Sequence, residues 1–327
     1  MTVLKIVSYN IHKGKTALGR RSSLFDLRAG LLALKADLVF LQEIQGRNEK
    51  EHHQHAQPAL LAGHLHMEVA YGCNAVRKKT DHGNALLSKY EIIDHENEDI
   101  SDHKLEQRGV LHAQVSVGNQ RVHCFVVHLG LFNVSRIRQV TAIIERIKRL
   151  VPEDEPLIIA GDFNDWNEKL APYFAKELGV HEVFANTPVR LDDELPRMKV
   201  SFKRLWDTFS FRKLMETEKM LRYQRIKMPE ISLKTLPKVL KHLQDPNELP
   251  PPRTFPAAFP WLRLDRMYQR GFEIRSAQVL KGKPWNKISD HAPICVELAL
   301  VKPQDVAKAE VLEAGVADAD ASATLCA

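Results

Sequence analysis

Apolar positions recur along this chain in two rhythms, and the switch between them sets out an alternation of strands and helices. Leu4 to Tyr9 reads as a strand, and Ser22 to Leu34 places Leu24, Leu27, Leu31 and Leu34 on one helical face. Asp37 to Leu41 returns as a short buried strand. Gly109 to Val117 and Arg121 to His128 read as an antiparallel pair around Gly118-Asn119-Gln120. Ser135 to Leu150 is again helical through Val140, Ile143, Ile147 and Leu150. Pro156 to Ala160, Leu264 to Tyr268 and Ala292 to Leu300 complete the strands. The order predicts a layered α/β protein, and polar residues gather where its strands end, the usual place for chemistry in such folds.

Two stretches break the pattern. Residues 187–252 hold 14 Lys or Arg against 9 Asp or Glu, which is most of the chain's net charge of +6. Leu236, Val239, Leu240 and Leu243 fall on one face there, with Lys234, Lys238, Lys241 and His242 on the other, predicting a basic amphipathic helix after Thr235. A second helix is expected from about Lys203 to Lys227. Such an insertion reads either as a solvated basic face or as a cover that draws an anionic substrate or lipid surface to a cleft. Residues 302–327 are rich in Ala, Asp and Glu without aromatics, predicting a disordered tail behind a domain of residues 1–301.

Bulk numbers narrow the class only a little. With 327 residues and 44% apolar content a large core is within reach, and four scattered cysteines without a CxxC pair suit reduced thiols. Neither a signal-like leader nor an apolar run of membrane-spanning length is present, so the sequence is read as that of a cytoplasmic protein with no transmembrane segment. Phosphate-cradling and serine-elbow motifs, GxxxxGK[ST], GxGxxG and GxSxG, are missing. His52, His53, His55, His64 and His66 are numerous but lack a regular ligand spacing.

The strand-end residues form an ordered set. Asn10-Ile11-His12-Lys13-Gly14, Gln42-Glu43, His82-Gly83-Asn84-Ala85, Arg108-Gly109-Val110-Leu111 and His128-Leu129-Gly130-Leu131 come first. Gly161-Asp162-Phe163-Asn164-Asp165-Trp166, Leu262-Arg263-Leu264-Asp265-Arg266 and Ser289-Asp290-His291-Ala292-Pro293 come after them. In order and wording the set resembles the endonuclease/exonuclease/phosphatase family, and more closely its bacterial YbhP-type branch. The resemblance covers most of residues 3–186 and 253–300. It implies a four-layer α/β sandwich of two mixed sheets, DNase I-like, and hydrolysis of a phosphodiester.

That chemistry accounts for the residue types. An anionic phosphodiester attacked by water needs a cation on its oxygens, a base for the water and neutralisation of growing charge. Carboxylate and amide oxygens suit Mg²⁺ or Mn²⁺, which makes Glu43 the first metal ligand with Asn10 and Asp290 beside it. His291 is a candidate general base, and by resemblance Asp265 fixes its tautomer. The resemblance also implies that Asp162 binds or polarises the water, Asn164 hydrogen-bonds the phosphate and His128 donates to a phosphate oxygen. It leaves open whether Asp162 or His291 is the base. Asn84 and Arg138 are supporting substrate-binding choices, Arg138 reading equally as an exposed helical charge. Partners within this reading are nucleic acid, or a phospholipid headgroup or other small phosphoester. A non-catalytic binding module is the remaining alternative, disfavoured because Glu43, Asp162 and His291 are all kept.

Overall fold

The computed structural model describes residues 1–19, 21–103, 106–166, 170–184 and 253–301. The chain divides into two units, Met1–Thr187 with Arg253–Ala327 and Pro188–Pro252. The helices expected in the basic insertion and the expected disordered tail lie outside the described residues.

Among the described residues, twelve strands make two six-stranded sheets. The first holds β1 (Val3–Asn10), β2 (Leu38–Ile44), β3 (Glu68–Val76), β4 (Asp81–Ser88), β11 (Phe272–Val279) and β12 (Ile294–Leu300), in the order β11-β12-β1-β2-β4-β3. The second holds β5 (Ile92–Asp99), β6 (Gly109–Val117), β7 (Gln120–His128), β8 (Leu157–Asp162), β9 (His181–Glu182) and β10 (Asp265–Arg270), in the order β5-β6-β7-β8-β10-β9. Each sheet has one parallel pair at its middle, β1 with β2 and β7 with β8, and is otherwise antiparallel. A parallel pair needs a crossover, which α1 (Leu24–Leu34) and α3 (Asn133–Leu150) supply.

The two rhythms of the sequence explain the layers. Inward positions such as Ile6, Phe40 and Leu86 of the first sheet meet Ala113, Val126, Ile158 and Met267 of the second in a core between the sheets. Alternate positions face helices. Tyr9, Val39 and Leu41 pack under α1, α2 (Gln57–Leu65) and the short α5 (Trp285–Ile288). Phe125, Ile159 and Tyr268 pack under α3 and α4 (Ala171–Leu178). The result is helix, sheet, sheet, helix, the sandwich expected from the resemblance.

One helix contact in this arrangement is unusually tight. Gly30 of α1 lies so close to the Trp285 indole that a Cβ there would meet it at 2.8 Å, and Trp285 sits edge-on to Tyr9. At the far end of the second sheet, β5 pairs only with β6 among the described residues and carries Asp94, Glu96, Glu98 and Asp99. No helix among the described residues is long and apolar enough to cross a membrane. Cys73, Cys124 and Cys295 are free thiols.

Candidate active site

Strand register brings the polar residues together. Asn10 pairs with Gln42 where the parallel strands β1 and β2 end. In the other sheet His128, Asp162 and Asp265 stand side by side across β7, β8 and β10. They share the parity of Val126, Ala160 and Met267, so all three project between the sheets.

Glu43 reaches the same cleft by an irregularity. Alternation after Leu41 and Gln42 would turn it toward the helices. Instead Glu43 is left-handed (φ 54°) at a register shift between Leu41 and Ile44, and Ile44 takes the helix-facing position. Asn164 is also left-handed (φ 48°), as are the consecutive His12 (φ 45°) and Lys13 (φ 59°). Such backbone costs non-glycine residues roughly 1–2 kcal/mol each and collects at functional sites.

Asp162 is the hub. Its Oδ2 accepts from Asn10 Nδ2 at 3.0 Å and lies 3.6 Å from His128 Nε2 and 3.7 Å from His291 Nε2. Its Oδ1 accepts from the Asn164 backbone N–H at 3.0 Å. Asn164 Nδ2 donates to Leu129 O at 2.9 Å, tying the segment after β8 to the segment after β7. His291 Nδ1 is 2.8 Å from Asp265 Oδ2, so the imidazole is held between two carboxylates while its ring leans on Phe255. Asp265 is in turn positioned by its N–H donating to Thr254 Oγ1. Ser289 Oγ donates to Asn10 O at 2.7 Å, and Asp290 Oδ1 lies 3.6 Å from His12 Nδ1.

Burial sets the charge states. Removal from water pushes the Asp162 carboxyl up to about 7 against its neighbouring donors. Burial alone would lower His291, but Asp265 and Asp162 outweigh it and raise the imidazole to about 10. Burial and then Arg108 hold His128 well below the usual range, leaving it neutral. Burial would raise Glu43, yet Lys13 and three histidines hold it well below the usual carboxylate range. His82 is lowered to about 4 by burial and then by Lys13.

Among the described residues, the one group of three metal-capable side chains within 4.8 Å is Asp162, Asp265 and His291, but these are already hydrogen-bonded or paired with one another. Glu43, the expected cation ligand, lies outside that group. Its carboxylate already holds the Lys13 ammonium at 2.7 Å, and its expected companions Asn10 and Asp290 offer the hard oxygens that a magnesium-like ion prefers.

The two expected substrate contacts are engaged within the protein. Asn84 is fully buried, with Nδ2 shared between Gly109 O and Val126 O at 2.9 and 3.1 Å. It bridges the two sheets and has no surface to offer a substrate. Arg138 is two-thirds exposed and pairs with Asp102 at 2.7 Å, because it lies off the buried stripe of α3. The buried arginine at this end of the helix is Arg136, four residues before Val140 on that stripe. It donates to Gly130 O and Leu131 O and stacks on Trp166, fixing the loop after His128. The histidine-rich tract shares no centre: His55 accepts from Asn48, His64 meets Arg28 and His53 is exposed beside Glu51. Sequence reading gave no role to His12, Lys13, His82 or Thr254. The first three lay inside the family-like motifs, but the left-handed backbone of His12 and Lys13 leaves no mark in composition.

Comparison with known proteins matches this arrangement. The Endonuclease/Exonuclease/phosphatase family model covers residues 7–291, from β1 to His291. The uncharacterized protein YbhP of Escherichia coli (strain K12) is 31% identical over 305 residues, 90% of this chain and 96% of that one. An endonuclease/exonuclease/phosphatase structure from Beutenbergia cavernae superposes with a TM-score of 0.59 at 17% identity, over 93% of this chain and 73% of that one. Danio rerio TDP2 complexed with a single-stranded DNA product gives 0.53 at 19%, over 91% and 99%. A mannosyl-6-phosphatase of Bacteroides thetaiotaomicron gives 0.58 at 15%, over 91% and 100%. With the two-sheet sandwich, the strand-end cluster and a family match running through both, this chain belongs to the endonuclease/exonuclease/phosphatase family, whose members hydrolyse phosphoester bonds.

Proposed function

We propose that the protein is a divalent-cation-dependent phosphodiester hydrolase of nuclease-like type, with Mg²⁺ or Mn²⁺ held at Glu43, Asn10 and Asp290. The observation that carries the reading is the Asp265–His291–Asp162 row, 2.8 and 3.7 Å apart, lying in the cleft that also receives Glu43. A bound cation would neutralise phosphate oxygens and favour attack by water.

The chain's own groups supply the remainder. At neutral pH His291 carries its proton, since the flanking carboxylates favour the imidazolium. Asp162, held near 7, accepts the proton of the attacking water, and His291 Nε2–H faces the charge that builds on phosphate. His128 is 6% exposed, its Nε2 3.6 Å from Asp162, and offers a neutral donor to a phosphate oxygen. Asn164 uses one amide hydrogen on Leu129 O and keeps the other for phosphate.

The test is hydrolysis of a chromogenic bis-aryl phosphodiester with and without Mg²⁺ or Mn²⁺, and then of plasmid, abasic oligonucleotide and phospholipid panels. Turnover is expected to vanish in excess EDTA, and Glu43→Ala and His291→Ala to lose roughly a hundredfold or more while remaining folded. Undiminished activity in EDTA or in the His291→Ala protein overturns the mechanism. A second reading, the same chemistry on a small phosphomonoester, has support from the fold shared with the mannosyl-6-phosphatase. Faster turnover of sugar phosphates than of diesters would select it.

A further inference from the structure

Lys13 takes no part in this hydrolytic scheme, yet the fold goes to some length to place it. Its ammonium lies 2.7 Å from Glu43 Oε2, with the two side chains only 27% and 19% exposed. Both residues adopt left-handed backbone to make the contact, as does His12 beside them. Surrounding groups hold the turn in place. Ile11 N–H donates to Gln42 O, Gly14 N–H donates to Ile11 O, and Gln57 Nε2 donates to Lys13 O at 2.9 Å. Gly14, also left-handed, leaves room for that glutamine: a Cβ there would come within 3.0 Å of Gln57 Nε2.

Such strain is not recovered as stability, because a shielded ion pair gains little net energy over two solvated ions. What the turn does achieve is to keep a positive charge on the carboxylate that the proposed function gives to a metal. A lysine ammonium and a divalent ion cannot share Oε2, since they want the same oxygen and repel each other. The lysine stem is flexible and its charge needs an anionic partner. Once expelled from Glu43, it would find a new anionic partner in a bound phosphate.

We infer that Lys13 is a resident counter-ion: it occupies the cation position on Glu43 in the metal-free protein and, when a divalent cation arrives, moves to bind the phosphate of the substrate. The inference rests on the assignment of Glu43 as a metal ligand. It predicts effects of opposite sign from one substitution, which simple damage to the fold would not give.

The experiment uses the full chain without substrate. Mn²⁺ binding is monitored by electron paramagnetic resonance, and inorganic phosphate is then titrated onto the Mn²⁺-loaded protein. Lys13→Met is expected to bind Mn²⁺ about tenfold more tightly and phosphate about tenfold more weakly, while Lys13→Arg stays near the parent in both. In parallel, lysines of the parent protein are ¹³C-dimethylated, which preserves their charge. The Lys13 signal, assigned by its loss in Lys13→Arg, should shift during a Mg²⁺ titration with the affinity measured for the metal. Should Lys13→Met fail to fold, this resonance decides alone. An unmoved Lys13 signal, or unchanged or weaker Mn²⁺ binding in a folded Lys13→Met, overturns the inference and leaves the metal assignment intact. If the parent protein binds no Mn²⁺, or Glu43→Gln binds it as well as the parent, the proposed ligand set falls and the inference with it.

Discussion

The imidazole of His291 is the residue whose surroundings most sharply constrain its chemistry. Two carboxylates face its two ring nitrogens, at 2.8 and 3.7 Å, and they raise it to about 10 although burial works the other way. Asp162, raised to about 7 by burial, is the complementary group. If Asp162 must be ionised and His291 protonated, kcat should rise with pH through about 7 and fall through about 10. Asp265 is the larger of the two carboxylate influences on His291, so Asp265→Asn should move the descending limb to lower pH. Loss at neutral pH should be smaller than in His291→Ala, since the ring remains. A pH–rate profile on a chromogenic diester checks both, and an unshifted descending limb in Asp265→Asn would assign Asp265 a purely structural part. Of this site, residue identities were legible in the sequence because strand ends are marked by a change from apolar to polar. Orientation was not: Glu43 faces the cleft through a register shift, and Asn84 is consumed by two backbone carbonyls of the opposite sheet.

Among the elements, α1 and α5 show how a helix contact reaches the chemistry. Gly30 lies in the middle of α1, where alanine would ordinarily gain about 1 kcal/mol in helix propensity. Here a Cβ would stand 2.8 Å from the Trp285 ring, a rigid group already packed on Tyr9. Overpacking of this kind costs about 1–3 kcal/mol, so Gly30→Ala is expected to be net destabilising by about 1 kcal/mol in urea denaturation. Because α5 leads directly into Ser289, Asp290 and His291, kcat should fall as well. A more stable, fully active variant would show that Trp285 yields freely. Elements with a clean rhythm, β1, β2, β6, β7, α1, α3 and β8, were readable from the sequence. The interval holding α2, β3, β4 and β5 was not, and β5 shows why. Its sequence Ile-Ile-Asp-His-Glu-Asn-Glu-Asp lacks apolar alternation because one face meets Arg146 of α3, not a hydrocarbon core.

At the scale of the whole molecule, the basic interval leaves the sheet after β9 and rejoins it before β10, two strands that pair with each other. Among the described residues, two six-stranded sheets, three apolar cores and the site cluster assemble without it. Replacing residues 190–250 by a short linker should therefore leave the fold and hydrolysis of a small chromogenic diester largely intact. If the excess of lysine and arginine there serves to attract polyanions, the same deletion should weaken action on DNA or on anionic lipid vesicles, and the deficit should shrink as salt rises. Equal losses on small and large substrates, independent of salt, would reduce the interval to a supporting role.

Strand β5, outermost in its sheet among the described residues, also bears on how the molecule behaves at high concentration. An open sheet edge is a template for strand addition by another chain, and self-association begins most readily where that edge is flat and uncharged. Here it carries four carboxylates, with Glu96 held below its usual range by its hydrogen bond to Arg146. A second copy approaching in register would set acid against acid. The safeguard is electrical and therefore conditional: below about pH 4 most free carboxylates take up protons. Solutions of this protein should then turn turbid through edge-to-edge growth, and replacing Asp94, Glu98 and Asp99 by their amides should bring that turbidity to neutral pH.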